Sequence, residues 1–359
     1  MNILITGGAG FIGSHVCKRL AQAGFNPITY DNLSNGHSWA LNFGPFVQAD
    51  LENEEALAEV FDQYNPQAVI HLASLINVRD SIVNPALYYE KNFLGTLTLL
   101  NTMLRKNVST LVFSSTASIY GAPQYLPIDE AHPKNPLNAY GKSKWAVEAM
   151  LEDFSHAHGL IFAALRYFNA CGADAGGEIG EAHTPETHLI PLVIQAAISQ
   201  KMIAEKKTHL IIYGDDYPTP DGTAIRDYVH VSDLAEAHLK ALHYLFEQKR
   251  SLQANLGTGK GYSVKEIVDA VARFSNMDIP AKIVPKSPQD SAVLVADASL
   301  AKKVLNWEPI HSDLNHIIKT AWNWHVYSAS RSIAHKNRAI LNEIKQRRIP
   351  KDDSPLVSC

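Results

Sequence analysis

Tyr140 and Lys144 are the two side chains of this sequence with the clearest potential for proton transfer. An i, i+4 spacing places two side chains one turn apart on the same face of a helix, so a charged lysine would lie beside the phenol. That charge favours the phenolate and lowers the pKa of the tyrosine. The tyrosine then acts as a base near neutral pH, which an unperturbed phenol with a pKa of about 10 does poorly. Taken alone, the pattern is weak, because the same spacing also occurs on exposed helix faces.

A hydroxyl group is expected next to this pair. Ser114-Ser115-Thr116 stands at the end of a predicted strand. In parallel sheets the carboxyl ends of the strands border the ligand crevice. We therefore predict that Thr116 hydrogen-bonds the reacting oxygen, so that the catalytic residues are Thr116, Tyr140 and Lys144. The alternative is a polar strand end without a catalytic role.

The first thirteen residues carry the pattern of a dinucleotide-binding turn. An apolar run of strand type enters Gly7-Gly8-Ala9-Gly10-Phe11-Ile12-Gly13, and a helix is predicted from Ser14. Such glycines allow a tight turn and a close approach of the backbone to a pyrophosphate, while the amides at the helix start face the anion. Asp31 follows at the end of the second predicted strand. Because a carboxylate accepts hydrogen bonds from ribose hydroxyls and repels a 2′-phosphate, the sequence favours NAD over NADP. An ordinary strand–helix turn is the alternative.

Strand and helix patterns alternate through the first half of the chain, which predicts an α/β fold with a doubly wound parallel Rossmann-type sheet. After Arg166 the sequence becomes richer in loops, although residues 229–245 again resemble a strand followed by a helix. We therefore expect a smaller, interleaved C-terminal substrate domain. The predicted NAD-binding domain is 1–168 with 223–247, the substrate domain is 169–222 with 248–327, and 328–359 form a polar basic tail.

The composition is that of an ordinary globular protein, with 46% hydrophobic and 19% charged residues and a formal net charge of −4. No basic excess indicates binding to nucleic acid or to a membrane surface. The chain begins directly with a predicted core strand, so we expect no leader, no membrane span and a cytoplasmic location. The three cysteines are far apart and the 16 histidines are scattered, which predicts a reducing compartment and no metal site.

Several independent motifs resemble those of the extended short-chain dehydrogenase/reductases. A long loop from Tyr213 to Thr223 is similar to one in the UDP-glucose 4-epimerases of that family, and the resemblance covers about residues 1–327. The other motifs are the glycine fingerprint with Asp31, His71-Leu72-Ala73, Asn92, Ser114-Ser115-Thr116, Tyr120-Gly121, Tyr140-x-x-x-Lys144, Arg166-Tyr167-Phe168-Asn169 and Arg226-Asp227-Tyr228.

This resemblance implies NAD-dependent epimerisation at carbon 4 of a UDP-sugar, either UDP-glucose or UDP-galactose. Tyr140 would take the proton of the 4-hydroxyl while NAD takes the hydride, and a transient 4-keto sugar would turn over before the hydride returns to its other face. A homodimer built on helices 85–106 and 140–158 is also implied. The residues implied at the cofactor are Gly7, Gly10, Phe11, Ile12, Gly13, Asp31, Asn32, Asn35, Asp50, Leu51, Leu72, Ala73, Ser74, Asn92, Ser114, Lys144 and Tyr167. Those implied at the substrate are Thr116, Asn169, His188, Leu189, Tyr213, Arg226 and Asp290.

Some positions depart from the family pattern. Ile76 stands where some members carry a lysine that contacts the cofactor pyrophosphate, and Ser287 and Gln289 replace the arginine and glycine of an Arg-Pro-Gly-Asp motif. Lys286 offers a charge there, without the bidentate geometry of arginine. Leu294 occupies the position that gates the sugar, so acceptance of N-acetylated sugars stays open.

Other activities within the same fold are alternatives. The dehydratases carry Asp-Glu directly after the catalytic threonine, where this chain has Ala117-Ser118, so loss of water is disfavoured. The decarboxylases usually have an acid at the second of these positions. A UDP-pentose or UDP-N-acetylglucosamine 4-epimerase would use identical chemistry. A non-catalytic NAD sensor tends to lose the Tyr-x-x-x-Lys motif, which is present here.

Overall fold

A seven-stranded sheet forms the centre of the structure, a computed structural model that describes residues 1–202, 209–286 and 290–327. All neighbouring strands of this sheet are parallel, which confirms the predicted α/β class with a Rossmann-type sheet. In spatial order its strands are β10 (Leu252–Leu256), β6 (Ile161–Tyr167), β5 (Thr110–Thr116), β4 (Ala68–His71), β1 (Asn2–Thr6), β2 (Asn26–Asp31) and β3 (Phe46–Gln48).

The central strands are apolar because both of their faces are buried. Successive side chains of a strand point to opposite faces, so β1 contributes to two cores at once. Ile3 and Ile5 belong to one apolar cluster, whereas Leu4 lies with Val69 in the other. All four side chains are fully buried. The two cores hold a layer of helices on each face of the sheet.

One predicted helix, over residues 85–106, is divided into three segments in the structure. The middle segment is a π-helical turn at Tyr89–Leu94, a wider turn of a kind often found near functional sites. No helix within the described ranges has the length and apolar character that a bilayer crossing needs. The helices are α1 (Phe11–Gln22), α2 (Glu54–Tyr64), α3 (Val78–Val83), α4 (Pro85–Tyr88), α5 (Gly95–Arg105), α6 (Ala139–His158), α7 (Leu189–Met202), α8 (Val231–Gln248), α9 (Val264–Ser275), α10 (Ser299–Leu305) and α11 (314–327).

A smaller region beside the carboxyl ends of the central strands has its own apolar core. Side chains of α7, α9 and α11 pack together there, among them Val193, Ile267 and Ile317. Its strands are β7 (Asn169–Cys171), β8 (Leu210–Tyr213), β9 (Ile225–His230), β11 (Gly261–Ser263), β12 (Ala281–Val284) and β13 (Val293–Leu294). β9 pairs with β7, β11 and β13, and β8 pairs with β12.

Two strands pair with strands outside the domain to which the sequence assigns their segment. β9 falls in the segment 223–247, which was predicted to belong to the NAD-binding domain, yet it pairs only with strands of the smaller region among the described residues. β10 falls in the predicted substrate segment 248–327 but pairs with β6 in the central sheet. The reason is that strand partners are chosen by non-local contacts that local patterns do not report. The division into domains stays a prediction, and the tail 328–359 lies outside the described residues.

The position of β1 in the sheet creates the crevice for a ligand. β1 lies between β2 and β4, so the chain winds away from it in both directions. In such sheets the loops at the carboxyl ends of the two diverging strands separate, and ligands bind between them. Gly7 follows β1 and Leu72 follows β4, which places the glycine turn at this point.

Candidate active site

A cavity of about 1030 Å³ opens at the carboxyl ends of the central strands. It extends from the glycine turn after β1, past Thr116 at the end of β5, to Arg226 in β9. Small-molecule sites usually have about 300–1,000 Å³, so this cavity has room for an unusually large ligand or for two. Its walls come from both the central sheet and the smaller region.

The turn after β1, residues 7–13, leaves open a space that larger side chains would fill, and we refer to it as the glycine cradle. Gly7 has a φ of +73°, and a Cβ there would lie 2.6 Å from the backbone nitrogen of Ala73. A Cβ on Gly13 would lie 2.1 Å from the carbonyl oxygen of Gly7. α1 begins at Phe11, three residues before the predicted start, and its N-cap Gly10 provides no side-chain cap. The first amides of α1 therefore stay available to an anion, which fits the pyrophosphate of a dinucleotide.

Asp31 is held at the end of β2 with its carboxylate at the cavity wall. Its two oxygens accept hydrogen bonds from the backbone nitrogens of Ala9, at 3.0 Å, and Leu33, at 2.8 Å. Burial raises the pKa of this carboxyl, and the two hydrogen bonds partly offset the effect. A carboxylate has about four lone-pair positions, so acceptor capacity remains for the two hydroxyls of a ribose. The residues of this end of the cavity therefore fit NAD.

Tyr140 and Thr116 meet in the middle of the cavity. Their side chains are buried but line it, with 8% and 7% exposure. The Thr116 oxygen also accepts a hydrogen bond from the backbone nitrogen of Ser118, at 3.1 Å, which orients the hydroxyl. Burial raises the pKa of Tyr140 above its ordinary value, and hydrogen bonding to Thr116 lowers it in part. In the protein alone, the phenol is therefore neutral at pH 7.

Lys144 lies behind this pair, outside the cavity lining. Only 2% of it is exposed, and its Nζ donates a hydrogen bond to the carbonyl oxygen of Ser114 at 2.9 Å. Burial lowers the pKa of Lys144 to about 7. The lowering of the Tyr140 pKa by Lys144 together with oxidised NAD stays a prediction, because in the protein alone burial drives both groups toward their neutral forms. A further positive charge near the phenol would be needed to shift the balance.

The side chains of β5 alternate between the cavity and the packed interior. The Ser114 hydroxyl makes a short hydrogen bond with the Tyr167 hydroxyl, and both side chains line the cavity. The Ser115 hydroxyl is fully buried and donates to the carboxylate of Glu148 at 2.5 Å. Of the three hydroxyls in this motif, Ser114 and Thr116 are therefore available to ligands, and Ser115 serves packing.

A buried ion pair fixes α6 against the sheet. Glu148, one turn after Lys144, accepts from the Nε of Arg166 at 3.0 Å and from its Nη2 at 2.6 Å. The two side chains are 3% and 1% exposed. Burial opposes the charge of Arg166, but Glu148 raises its pKa well above the ordinary value. At its N-terminus α6 is capped by Asn138, whose side-chain oxygen accepts a hydrogen bond from the Gly141 nitrogen at 2.8 Å. Both contacts set the position of the first turn of α6.

Arg226 and Asp227 point away from each other, since they are neighbours on a strand. The Asp227 carboxylate is fully buried and accepts from the Thr258 hydroxyl at 2.6 Å. Arg226 lines the cavity and donates to the carbonyl oxygen of Ile225 at 2.8 Å. Arg226 and Asp227 therefore do not form an ion pair with each other. Among the described residues, no carboxylate lies within 4.0 Å of the Arg226 guanidinium, which stays available to an anionic ligand.

Most of the predicted site residues line this one cavity. They are Gly7, Gly10, Phe11, Ile12, Gly13, Asp31, Asn32, Asn35, Asp50, Leu51, Leu72, Ala73, Ser74, Ser114, Thr116, Tyr140, Tyr167, Asn169, His188, Arg226 and Asp290.

Besides Lys144, three predicted site residues do not line it. Asn92 is buried, and its side chain binds the backbone nitrogen and oxygen of Leu75 at 2.8 and 3.0 Å, so it braces the segment after β4. Leu189 packs on the core of the smaller region. The Tyr213 ring lies under the guanidinium of Arg79, whose carbon is 3.6 Å from the ring centre. Asn92 and Tyr213 thus contact the cavity-lining residues Leu75 and Arg79 without lining the cavity themselves.

The positions that depart from the family pattern are only partly described. Ile76 and Leu294 line the cavity, and Ile76 is 43% exposed. The Nζ of Lys286 lies 2.9 Å from the Asp216 carboxylate, so its charge is already paired. Ser287 and Gln289 lie outside the described residues.

One group of residues beside the cavity was not predicted as a group, although His188 alone was expected at the substrate. After β7, two glutamates and two histidines come together so that one ligand atom from each lies within 4.8 Å of the others. The spacing Glu-x-His-x-x-Glu-x-His is the sequence signal for this group, whereas the composition alone predicts scattered histidines and no metal site. We refer to these residues as the Glu–His cluster: Glu181, His183, Glu186 and His188.

The sheet, the glycine cradle and the Thr–Tyr–Lys set define a dinucleotide-dependent enzyme of the short-chain dehydrogenase/reductase type. Residues 3–257 match the model of the NAD dependent epimerase/dehydratase family. The UDP-glucose 4-epimerase of Rhizobium meliloti (strain 1021) is 45% identical over 324 residues, which are 90% of this chain and 97% of that protein.

Solved structures show the same likeness. A UDP-glucose 4-epimerase from Brucella ovis in complex with NAD is 46% identical, with a TM-score of 0.86 over 90% of this chain and 97% of its own. One from Bifidobacterium longum in complex with NAD+ and UDP is 36% identical, with a TM-score of 0.86 over 91% and 98%. The chain belongs to the NAD dependent epimerase/dehydratase family. It is an epimerase, and therefore an isomerase, and its cofactor is NAD.

Proposed function

We propose that the protein interconverts UDP-glucose and UDP-galactose by epimerisation at carbon 4, with Tyr140 as the base. The observation that carries this proposal is one continuous cavity with three chemically distinct parts. The glycine cradle and Asp31 suit a dinucleotide, Thr116 and Tyr140 suit an alcohol, and Arg226 suits a diphosphate. The similarity to UDP-glucose 4-epimerases over 90% of the chain supports the same reaction.

The phenol of Tyr140 moves the proton. In its ionised form, Oη accepts the proton of the 4-hydroxyl, and it returns that proton to the 4-oxygen after the sugar has turned over. The Thr116 hydroxyl, hydrogen-bonded to the phenol, orients the reacting oxygen. NAD, when bound, supplies the acceptor for the hydride of carbon 4 and adds a positive charge to the site. With that charge, the nearby Lys144 favours the phenolate over the neutral phenol that the protein alone prefers.

The remaining cavity residues hold the substrate while its sugar reorients. Arg226 has no carboxylate partner among the described residues, and a guanidinium fork matches phosphate oxygens. Anchoring the diphosphate leaves the sugar as the part that rotates, so either face of carbon 4 is presented to the same cofactor. Asn169, His188 and Asp290 line the same end and are proposed to bind the nucleotide.

Loss of water from the sugar is disfavoured at this site. Ala117 and Ser118, which follow the catalytic threonine, both line the cavity, and neither side chain exchanges protons near pH 7. A dehydratase needs an acid and a base at carbon 5 and the departing hydroxyl, in addition to the base at the 4-hydroxyl. The proton transfers available at Tyr140 suffice for epimerisation.

We also propose a cytoplasmic homodimer. Leu104 on α5 and Trp145 on α6 are 42% and 45% exposed, and they lie on the two helices that the family resemblance implies for the dimer. Burial of these side chains against a second copy would remove them from water. Cys17 and Cys171 are free and buried, which suits a reducing compartment. Light scattering should give twice the chain mass, and Trp145→Glu should give a monomer; a wild-type monomer would contradict the proposal.

A panel of nucleotide sugars tests the proposed function. The purified protein is incubated with UDP-galactose, UDP-N-acetylglucosamine, UDP-xylose and UDP-glucuronate, and the products are identified by NMR. We expect UDP-galactose to give UDP-glucose fastest, with no carbon dioxide from UDP-glucuronate. Tyr140→Phe should lower turnover by at least about 100-fold while NAD stays bound. Exclusive turnover of the pentose or of the acetamido sugar would assign the alternative epimerase activity, and no turnover of any sugar would contradict the proposal.

A further inference from the structure

The Glu–His cluster lies on the segment between β7 and α7, at the wall of the cavity. Glu181 and Glu186 each have only 4% of the side chain exposed. The cluster sits where distant segments meet: the indole nitrogen of Trp324 donates to the Glu181 carbonyl oxygen at 2.8 Å, and His37 bonds to the Ala182 carbonyl oxygen. Two carboxylates are thus enclosed in a packed part of the structure, where an uncompensated charge is costly.

Four of the six separations between the ligand atoms are compatible with a tetrahedral metal site. The Nδ1 of His188 lies 2.7 Å from a Glu181 oxygen and 3.2 Å from a Glu186 oxygen. The Nδ1 of His183 lies 3.2 and 3.7 Å from the same two oxygens. An ion bound at about 2.1 Å by four tetrahedral ligands separates neighbouring ligand atoms by about 3.4 Å. The observed distances bracket that value.

Several atoms of this cluster are buried without a hydrogen bond. They are Oε1 of Glu181, Nδ1 of His183 and Oε2 of Glu186, which have no hydrogen-bond partner among the described residues. Oε1 of Glu181 is close to both rings, but neither ring N–H is aligned with it. Buried polar atoms of native proteins are nearly always hydrogen-bonded or bound to a ligand. Oε1 of Glu181 and Nδ1 of His183 thus converge without a hydrogen bond, whereas the converging oxygen of Glu186, Oε1, accepts hydrogen bonds from Nδ1 of His188 at 3.2 Å and from the backbone nitrogens of Thr187 and His188.

We propose that Glu181, His183, Glu186 and His188 bind one divalent transition-metal ion of the zinc class. Two imidazole nitrogens and two carboxylate oxygens are ligands that such ions accept. Four protein ligands leave no position on the ion for a water molecule or a substrate, so the ion is structural. His188 ligates through Nδ1, so its Nε2 stays available to the nucleotide proposed above. It fixes the segment between β7 and α7, and thereby one wall of the cavity.

The direct test uses Co²⁺ as a coloured probe and the full-length protein with its NAD. After treatment with a chelator, the wild type should bind one Co²⁺ per chain and show the intense visible absorption of a four-coordinate ion, which one equivalent of Zn²⁺ should abolish. Crystals grown with Zn²⁺ should show an anomalous scattering peak within the cluster. Binding of less than one ion, a six-coordinate spectrum or a peak only elsewhere would overturn the proposal.

Two variants locate the ion in solution. His183→Gln should weaken Co²⁺ binding by at least about 100-fold and abolish the absorption, since even loss of a supporting hydrogen bond costs about 10–100-fold. His316→Gln is the matched control, because His316 packs against His230 and His311 in a separate group of rings 5.1–6.0 Å apart. It should leave affinity and spectrum unchanged. An unchanged spectrum in His183→Gln would refute the site. If His183→Gln does not fold, Glu186→Gln is measured in its place, with the same expected result.

Discussion

Removal of the charge of Lys144 should shift the pH dependence of turnover toward higher pH. Lys144→Met replaces the ammonium by an apolar group of similar length in a position that is 2% exposed. Burial already lowers the pKa of this lysine to about 7, so an apolar side chain suits its surroundings and the variant should fold. The only hydrogen bond shown for its Nζ in the described structure, to the Ser114 carbonyl oxygen, is lost.

The size of the shift follows from the spacing of Tyr140 and Lys144. Side chains at i and i+4 lie about 6 Å apart, and two unit charges at that distance interact by about 3 kcal/mol at an effective dielectric constant of about 20. This corresponds to about two pKa units. The interaction acts on both groups, so the Tyr140 phenolate raises the pKa of Lys144 by a similar amount. The phenolate and the ammonium therefore both stay charged above pH 7.

The sign of the effect is set by the role of the phenolate. Turnover rises as pH rises through the pKa at which Tyr140 ionises, and Lys144 lowers that pKa in the working enzyme. Lys144→Met should therefore move the rise upward by about two pH units and reduce turnover about 100-fold on its acid side.

The assay is the pH profile of UDP-galactose turnover for the wild type, Lys144→Met and Lys142→Met. Lys142 lies on the same helix but is exposed, so water and salt screen its charge and its removal should leave the profile in place. Superimposable profiles for the wild type and Lys144→Met would refute the reasoning. Equal shifts in both variants would show an effect of net charge instead of a local one.

Three further changes test the two ends of the cavity. Asp31→Ala should weaken NAD at least about 10-fold and relax its preference over NADP, because a hydrogen bond to a charged group contributes about 1.5–3 kcal/mol; unchanged selectivity in cofactor titrations would argue against a ribose contact. Arg226→Gln should weaken UDP about 30-fold or more in calorimetry without affecting NAD, and equal UDP affinity would remove Arg226 from the diphosphate. Gly13→Ala places a Cβ 2.1 Å from a carbonyl oxygen and should abolish NAD binding, whereas Gly95→Ala, with its nearest contact at 3.5 Å, should bind NAD as the wild type does. Equal NAD affinity in the two alanine variants would show that the cradle is not needed.

Features set by local sequence were predicted well. The central strands follow from short apolar runs, and the glycine cradle follows from the steric needs of one turn, as the Cβ position at Gly13 shows. The strand period also explains why Thr116 lines the cavity and Ser115 does not. Each of these depends on a few adjacent residues and needs no knowledge of the tertiary structure.

Features set by distant contacts could not be predicted in this way. The pairing of β10 with β6 joins segments about 90 residues apart, and no local pattern reports it. Burial raises the pKa of Tyr140 and lowers that of Lys144, whereas spacing alone indicated only their mutual attraction. The enclosure of Glu181 and Glu186 depends on Trp324, which lies more than 130 residues further along the chain.

Retention of an isotope at carbon 4 tests the central claim most directly. UDP-galactose carrying deuterium at that carbon is converted to equilibrium with UDP-glucose in ordinary water, and both sugars are analysed by NMR. If the hydrogen leaves carbon 4 as a hydride and returns within the same closed site, both isomers should keep the deuterium at carbon 4 after many turnovers. Replacement of the deuterium by hydrogen from water would contradict the account.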